Sequence, residues 1–338
     1  MPDELDGFYS STDVPAFTFR TENSPVFFVN WLRENYKSLG IERTGTSATL
    51  KRVAPSSFRA LTILAPSHVE QQKIAECLTS LDELIAAEGR KLEALRVYKK
   101  GLMQNIFPRE GEATPRLRFP EFRDAPDWVE EPFSHLYRFA PTNTLSRDQL
   151  NHTSGSVKNI HYGDIHTRFQ ALFDIRREIV PFISPAYLLG EPSPASLCSE
   201  GDMVFADASE DLADVGKSIE IIEIDGQQVV SGTHTILAKR KGSHLRIGFG
   251  GHLFRSSRIR TRIQKESQGA KVLGISSGRL SIVPVSFPTD HAEQQKIAEC
   301  LTSLDELIAA EERKLEVLRA HKQGLMQGLF PSPEAPEA

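Results

Sequence analysis

The sequence has 338 residues, of which 39% are hydrophobic and 25% charged, and its formal net charge is −5. This composition is ordinary for a globular protein, and no apolar run approaches the ~20 residues of a membrane span, so we expect no membrane association. Three cysteines without a CxxC spacing argue against a disulfide framework or a structural metal. The acidic, polar N-terminus does not resemble a secretory signal, and we therefore expect a cytoplasmic protein.

Residues 1–69 have the pattern of the end of a domain. A helix-like stretch at residues 27–36 is followed, at residues 45–67, by a glycine, a turn and an apolar strand that ends in proline. The same order recurs at residues 251–260 and 269–290. We therefore predict that residues 1–69 are the C-terminal remnant of a first domain that lacks its beginning.

A helix repeat follows. Residues 70–108 recur at residues 293–331 with 32 of 39 positions identical, and the apolar positions alternate in steps of four and three, which is typical of a coiled-coil seam. Each copy ends at a Phe-Pro step, where proline disfavours further helix. We predict two long helices, at 70–108 and 291–331, that pair as an antiparallel coiled coil. The predicted seam residues are Leu78, Leu81, Ile85, Glu88, Leu92, Leu95, Lys99, Leu301, Leu304, Ile308, Glu311, Leu315, Leu318 and Lys322.

The polar seam residues suggest a register. With Glu88 level with Lys322, Lys99 lies level with Glu311 and the apolar layers match. Sliding by one heptad would place Glu88 opposite Leu315 and leave a charge unpaired, which is costly. The alternative is that the long side chains extend to solvent and the charges play no part in register.

Between the helices lie a connector, residues 109–127, and a domain, residues 128–290. The domain contains short β-type runs separated by turn signals. The runs are at residues 203–206, 219–224, 229–230, 234–238 and 280–285, whereas residues 251–268 are helical and basic. The fold class is therefore α+β, with mixed α/β domains alternating with the long helices, and residues 332–338 form a disordered tail.

Four stretches carry a resemblance to a known family: the duplicated helix EQQKIAECLTSLDELIAAE, the connector PRLRFPEFRDAPDW, the segment NIHYGDIHTRF, and GDMVFADASEDLADVGKS followed by SGTHTILAKRKG. Together they make the chain resemble the specificity (S) subunits of Type I restriction–modification enzymes. The resemblance covers residues 27–331.

The resemblance implies target recognition domains that each read one half of a bipartite site on double-stranded DNA. The paired helices would act as a spacer and as the docking surface for two modification subunits. Those subunits would supply S-adenosylmethionine and adenine methylation, and a restriction subunit would supply cleavage with ATP and Mg, so this chain itself would bind no cofactor. Because the first domain is incomplete, a second copy of the chain is a further candidate partner.

The predicted DNA-binding residues fall in three segments. Residues 239–279 carry eleven Lys and Arg against one acid, which suits phosphate contacts, although a solvated helix face has the same composition. Residues 159–169 offer side chains suited to base edges, or a loop closed on its own backbone. Residues 217–241 resemble strands that flank recognition loops. The candidates are His161, His166, Thr167, Arg168, Lys217, His234, Thr235, Lys239, Arg240, Lys241, Arg246, Arg255, Arg258, Arg260, Arg262 and Lys271.

The sequence argues against catalysis by this chain. It contains no Asn-Pro-Pro-aromatic methyltransferase motif, Walker loop or GxGxxG, and the acidic residues 207–211 are interpreted as a structural turn rather than a metal cluster. We further expect the outward helix faces and the helix ends around residues 102–107 and 325–330 to dock modification subunits, although these faces could simply be solvated. The face residues are Gln71, Gln72, Lys73, Arg90, Lys91, Arg96 and their equivalents. Two alternatives remain: a coiled-coil assembly protein or half-size fragment without DNA reading, and a nuclease within residues 128–290. The DNA sequence recognised and the oligomeric state are not specified by the sequence.

Overall fold

The computed structural model describes residues 23–35, 43–44, 51–52, 63–269 and 272–330. The predictions for the remainder of residues 1–69, for Lys271 and for the tail lie outside the described residues. The chain forms two compact units: unit 1 comprises residues 1–95 and 307–338, and unit 2 comprises residues 96–306. Both contain helix and strand, and the predicted α+β class is confirmed.

The described residues contain eight α-helices, which are α1 Pro25–Asn35, α2 His68–Ile106, α3 Phe133–Leu136, α4 Tyr162–Thr167, α5 Phe249–Leu253, α6 Ser257–Glu266, α7 Ser277–Ser281 and α8 His291–Leu329. The strands are β1 Arg43–Thr44, β2 Lys51–Arg52, β3 Val129–Pro132, β4 Tyr137–Ala140, β5 Leu150–Asn151, β6 Val157–Ile160, β7 Leu172–Asp174, β8 Phe182–Ile183, β9 Met203–Ala206, β10 Ala208–Ser209, β11 Ser218–Glu223, β12 Gln228–Ser231, β13 Thr235–Arg240, β14 Leu273–Gly274 and β15 Pro284–Phe287.

The two long helices, α2 and α8, agree with the predicted repeat. Each has 39 residues and ends within two residues of the proline of the Phe-Pro step. Their first turns are capped, because the hydroxyl of Ser67 accepts from the Glu70 N–H at 3.4 Å and the carboxylate of Asp290 accepts from the Ala292 N–H at 2.8 Å. Oxygen acceptors at these positions satisfy N–H groups that have no partner within the helix.

In unit 1, α1 packs on both long helices. Its aromatic face, with Phe27, Phe28 and Trp31, is buried against Leu78 of α2 and Phe330 beyond α8. The short strands β1 and β2 pair antiparallel. Because Leu78 and Phe330 enter the same core, α2 and α8 are both fixed to α1.

Unit 2 is built on two main sheets. One has five strands in the order β4-β13-β9-β11-β7, and the other has four in the order β12-β6-β8-β5. Both sheets are mixed, since β11 pairs parallel with β7 and β12 pairs parallel with β6, while the other pairings in the two sheets are antiparallel. Two-stranded pairs β15-β3 and β10-β14 complete the unit.

The larger core of unit 2 joins the five-stranded sheet to the long helices. Phe133, Phe249 and Phe254 lie at its centre with no more than 1% exposure. The end of α2 enters this core at Phe107, and the beginning of α8 enters it at Ile297. Aromatic burial of this kind provides a large share of hydrophobic stabilisation.

One pair of contacts occurs in both units. The buried side chain of Gln71 accepts from the Ser24 N–H at 3.2 Å and donates to the Pro66 carbonyl at 2.9 Å. Its repeat equivalent, Gln294, accepts from the Arg246 N–H at 2.7 Å and donates to the Pro288 carbonyl at 2.7 Å. Each glutamine therefore ties the first turn of a long helix to the chain that packs beside it.

An aromatic contact is repeated in the same way. The rings of Phe27 and Phe330 are 5.2 Å apart in unit 1, and those of Phe249 and Phe107 are 6.2 Å apart in unit 2. Phe107 and Phe330 are equivalent positions of the repeat. The sequence match between residues before the two helices thus corresponds to similar packing.

The strand predictions agree with the structure in four places. Strand β9 has the predicted bounds, β11 and β12 lie within two residues of theirs, and β13 begins one residue late because His234 lies in a turn. The prediction of strand over residues 280–285 is partly wrong. The side chain of Ser276 accepts a hydrogen bond from the Arg279 N–H and caps the short helix α7, which occupies the start of the predicted strand. The strand therefore begins only at Pro284.

Candidate nucleic-acid interface and helix pair

The long helices pair antiparallel, as predicted. In unit 1, Lys314 donates to Glu88 at 2.6 Å, Lys91 pairs with Glu311, and Lys322 pairs with Asp82. Later residues of α2 therefore meet earlier residues of α8. None of the predicted seam residues is exposed, and Leu78, Leu92, Leu301, Leu304 and Leu315 are buried.

The predicted register is wrong. Glu88 pairs with Lys314 rather than Lys322, and in unit 2 Lys99 pairs with Asp305 rather than Glu311. The observed register is one heptad away from the predicted one, with Glu88 level with the turn that contains Leu315. The expected unpaired charge does not arise, because the Glu88 side chain reaches the neighbouring lysine at the edge of the seam. Hydrogen bonding to that lysine, Lys314, holds the pKa of Glu88 below its usual range.

Part of the face predicted to point outward is internal. Gln71 is 2% exposed and Gln294 is fully buried, because their carboxamides form the repeated contacts at the helix starts. Lys91 also points towards α8 rather than away from it. By contrast, Gln72 and Lys73 are exposed and agree with the prediction.

Beside those exposed residues, each unit has a groove at the beginning of its long helix, which we call the helix-entry groove. Its volume is about 350 Å³ in unit 1 and about 340 Å³ in unit 2. Five residues on the helix side are the same in both grooves. They are Gln72, Ala75, Glu76, Thr79 and Ser80 in unit 1, and Gln295, Ala298, Glu299, Thr302 and Ser303 in unit 2.

Several predicted DNA-binding residues converge in unit 2 on a group that we call the loop cluster, defined as Arg147, residues 161–168, Asp207 and His234. The ring of Tyr162 lies at its centre. Its centroid is 4.6 Å from that of His161, 6.0 Å from that of His166 and 5.3 Å from that of His234. Loops distant in sequence are thus brought together around one aromatic ring.

The inner part of the loop cluster is a hydrogen-bonded network. His161 is 6% exposed, and its Nδ1 lies 3.1 Å from both the Gly163 N–H and Arg147 Nη2. Burial, followed by the charge of Arg147, lowers the pKa of His161. The buried carboxylate of Asp164 accepts from Arg147 at 3.1 Å and lies 3.7 Å from Arg168.

The outer part presents basic side chains to solvent. His234, Arg147 and Arg168 are 59%, 49% and 42% exposed. Thr167 is exposed too, and its hydroxyl donates to the Gly163 carbonyl. His166 contacts the Ala208 carbonyl at 3.1 Å.

The rest of the loop cluster joins the acidic turn at residues 207–211. Lys217 donates to the carbonyl of His166 and lies 3.4 Å from Asp214. Asp207 lies 3.5 Å from Nδ1 of His234. Burial raises the pKa of the Asp207 carboxyl, and the nearby imidazole opposes that shift. This turn, interpreted from the sequence as structural only, therefore also supports the loop cluster.

The arginines predicted to contact phosphates are instead used within unit 2. Arg255 donates to the Ser218 carbonyl at 3.2 Å, and burial lowers its pKa to about 10. Arg258 donates to Glu130 at 2.7 Å, and Arg260 donates to the Val215 carbonyl at 2.7 Å. Arg262 pairs with two carboxylates and is 11% exposed. Most of the guanidinium donors of these arginines are used within unit 2, which argues against the interpretation of this stretch as a phosphate-binding row.

Strand β13 requires a similar correction. Lys239 is 8% exposed and pairs with Asp202 at 2.6 Å, and Thr235 is buried with its hydroxyl donating to the Gly232 carbonyl. Arg240 donates to the carbonyl of Leu245 at 2.6 Å. Separating the buried Lys239 from Asp202 would be costly, so Lys239 is held within the sheet and is not available to DNA.

Two other predicted DNA-binding residues lie outside the loop cluster. Lys241 is exposed and donates to the Ser134 carbonyl at 2.6 Å. Arg246 is exposed beside the helix-entry groove of unit 2, where its backbone N–H binds Gln294. Sequence reasoning missed Arg147, which lies in no motif, and Tyr162, which lies in the segment NIHYGDIHTRF but was not chosen as a candidate.

Within the described residues, no three His, Cys, Asp or Glu side chains converge as a metal site would require. No helix among those residues combines the length and apolar character needed to cross a membrane.

Comparison with known proteins finds similarity to specificity subunits of Type I restriction systems. No family model matches the chain. The chain is similar to the specificity subunit of the Type I restriction enzyme MjaVIII from Methanocaldococcus jannaschii, with 22% identity over 310 residues, covering 90% of this chain and 68% of that subunit.

Two solved structures have a similar fold. The crystal structure of a Type I restriction–modification S subunit from M. genitalium has a TM-score of 0.60 at 15% identity, and the match covers 92% of this chain and 74% of that one. A chain from a study of complex assembly and conformational transition of the type I R-M system has a TM-score of 0.57 at 13% identity, covering 91% and 71%. The resemblance stated from the sequence is confirmed: the chain is a relative of the specificity subunits of Type I restriction–modification systems.

Proposed function

We propose that the chain is the DNA-recognition and scaffold subunit of a Type I restriction–modification complex, directing adenine methylation and restriction by partner subunits. The observation that carries this proposal is similarity to a Type I specificity subunit over 90% of the chain. The repeated helix pair and the loop cluster, with its exposed basic side chains, support it. The competing assembly-protein interpretation has no comparable support.

DNA recognition is assigned to residues 128–290 through the loop cluster. Arg147 and Arg168 suit phosphate contacts, which supply sequence-independent affinity, and the exposed His234 and Thr167 suit base edges. The internally paired arginines of α6 are left out of this surface. The proposed surface is thus smaller than the sequence predicted and lies on α4 and the loops packed around it.

The long helices are assigned the spacer and docking functions. Each has 39 residues, which at ~1.5 Å per residue gives about 58 Å, or about 17 base pairs. The helix-entry grooves, built twice from the same residues, offer two equivalent docking sites for two modification subunits. A second copy of the chain is a further proposed partner.

The chain itself is proposed to be non-catalytic and to bind no cofactor. S-adenosylmethionine, ATP and Mg belong to the modification and restriction subunits in this scheme, and the complex acts in the cytoplasm. The coiled-coil scaffold would then bring chemistry to DNA rather than perform it.

The proposal is tested with the full chain, alone and with its modification subunit and S-adenosylmethionine. Light scattering gives the mass of each complex, and fluorescence anisotropy with duplexes of random and selected sequence gives affinity against salt. We expect two modification subunits per pair of helix-entry grooves and sequence-selective binding that weakens as salt rises. Failure of the chain to bind modification subunits, or DNA binding without sequence preference, would contradict the proposal. Replacing Gln72 and Gln295 by Arg tests the grooves, and the same replacement at exposed Glu93 and Glu316, farther along the same helices, is the control.

A further inference from the structure

The backbone of His234 is held in an unusual conformation. Its φ is 53°, in the left-handed region that only a few per cent of non-glycine residues adopt, with asparagine, aspartate and histidine the most frequent among them. The Asp207 N–H donates to the His234 carbonyl at 3.0 Å, and the Gly232 N–H donates to the Ile160 carbonyl at 2.9 Å. Such conformations persist where surrounding contacts enforce them and are concentrated at functional sites. Here the enforced conformation presents an imidazole that is 59% exposed.

The imidazole of His234 has a carboxylate on one side and solvent on the other. Asp207 Oδ1 lies 3.5 Å from Nδ1, and this oxygen is buried with no hydrogen bond to the other described residues. The edge of the Tyr162 ring lies against the imidazole. An ionised carboxylate only accepts hydrogen bonds, so it favours the proton on Nδ1 and leaves the lone pair on Nε2.

We propose that Asp207 positions His234 so that Nε2 accepts a hydrogen bond from the exocyclic amino group of one adenine or cytosine in the major groove. In that groove, adenine N6 and cytosine N4 are amino donors, whereas guanine O6 and thymine O4 are acceptors. An imidazole that presents a lone pair therefore distinguishes adenine and cytosine from guanine and thymine. The inference rests on the proposed function, because it requires the loop cluster to contact duplex DNA.

The neighbouring arginines are assigned a different part in binding. Arg147 and Arg168 carry permanent charges on the exposed side of the loop cluster, and their interaction with phosphates does not depend on base identity. Removing one of them should weaken binding to all sequences and lower the salt slope by about one. Removing the imidazole should instead affect one base pair.

The test uses the full chain in complex with its modification subunits and a library of duplexes with randomised sequence. Bound and unbound duplexes are sequenced for the wild type, His234→Ala and Asp207→Ala. We expect both variants to lose about three- to tenfold of the preference for adenine or cytosine at one and the same base pair, as for one hydrogen bond. The salt slope should stay as in the wild type.

The chain offers a matched control at His135. Its imidazole is 64% exposed, and Nδ1 lies 3.7 Å from Glu131, whose side chain is 33% exposed. His135→Ala should retain the wild-type sequence profile. In the double variant of His234 and Asp207, the loss should equal that of His234→Ala alone, because the carboxylate acts through the imidazole.

The outcomes separate the two proposals. A wild-type complex without any sequence preference would refute the proposed function. If the wild-type complex is sequence-selective and His234→Ala has the same sequence preference, only the inference about this histidine is overturned. A profile changed by His234→Ala but not by Asp207→Ala would overturn the positioning by the carboxylate, and a preference for guanine or thymine at the affected position would overturn the acceptor assignment.

Discussion

Replacement of Glu220 by Gln should change how the stability of unit 2 depends on pH. Glu220 lies on β11 with 1% exposure, and its carboxylate accepts from the Gly251 N–H at 2.7 Å. Burial raises its pKa from 4.5 to about 7, and the backbone hydrogen bonds from Gly251 and Gly248 oppose part of that shift. Glutamine keeps an oxygen for the same N–H and carries no charge.

The size and sign of the effect follow from the shift. A rise from 4.5 to about 7 corresponds to about 3 kcal/mol at ~1.4 kcal/mol per unit. Because the pKa is raised in the folded state, the stabilising contribution of protonation is complete below pH 4.5 and is lost as pH rises through about 7. Above that pH the wild-type fold must hold a buried carboxylate.

Urea unfolding at about pH 5 and about pH 8.5 measures this difference, because most of the loss falls between those values. Trp128 lies in the core of unit 2 and Trp31 in that of unit 1, so a Trp31→Phe background isolates the fluorescence of unit 2. We expect the wild type to lose about 2–3 kcal/mol more than Glu220→Gln over that range. Glu223→Gln on the same strand is the control. Equal pH dependence of wild type and Glu220→Gln would refute the reasoning.

Two further predictions concern glycines and the repeated glutamine. Gly89→Ala should stabilise the helix pair by about 1 kcal/mol in thermal unfolding, because a Cβ there meets no atom within 4 Å. Gly251→Ala should destabilise unit 2, because its Cβ would lie 2.7 Å from the Ala171 carbonyl oxygen. The opposite order of melting temperatures would contradict both predictions. Gln294→Ala should lower the free energy of unfolding by about 1–3 kcal/mol in urea, because it leaves the Arg246 N–H and the buried Pro288 carbonyl without their partner. An equal effect of Gln295→Ala, at the half-buried neighbouring position, would show that the contacts of Gln294 are not responsible.

The sequence was sufficient for the long helices and their antiparallel seam, since identical residues at helical spacing leave few alternatives. It also predicted β9, β11 and β12, whose apolar runs are bounded by turn residues. It was insufficient for the basic stretch. Arg258 bonds Glu130, which is 128 positions away, and no local pattern shows that an arginine is already paired.

The loop cluster illustrates the same limit. His161, His166 and His234 were chosen for their chemistry, but nothing in the sequence places Tyr162 between them or Asp207 beside His234. The acidic turn at residues 207–211 was assigned a purely structural part because acids in a turn are common. Its contact with His234 depends on the pairing of β9 with β13, which is a property of the sheet.

The register of the helix pair is better explained by the helix ends than by its charges. A heptad pattern is nearly unchanged by a slide of seven residues, and Lys322 finds a carboxylate in either register, at Asp82 or at Glu88. The cores are less permissive. In unit 1, α1 holds Leu78 and Phe330 in one cluster, and a slide of one heptad, about 10 Å, would separate them. Charge variants at the seam should therefore alter stability while the register stays fixed.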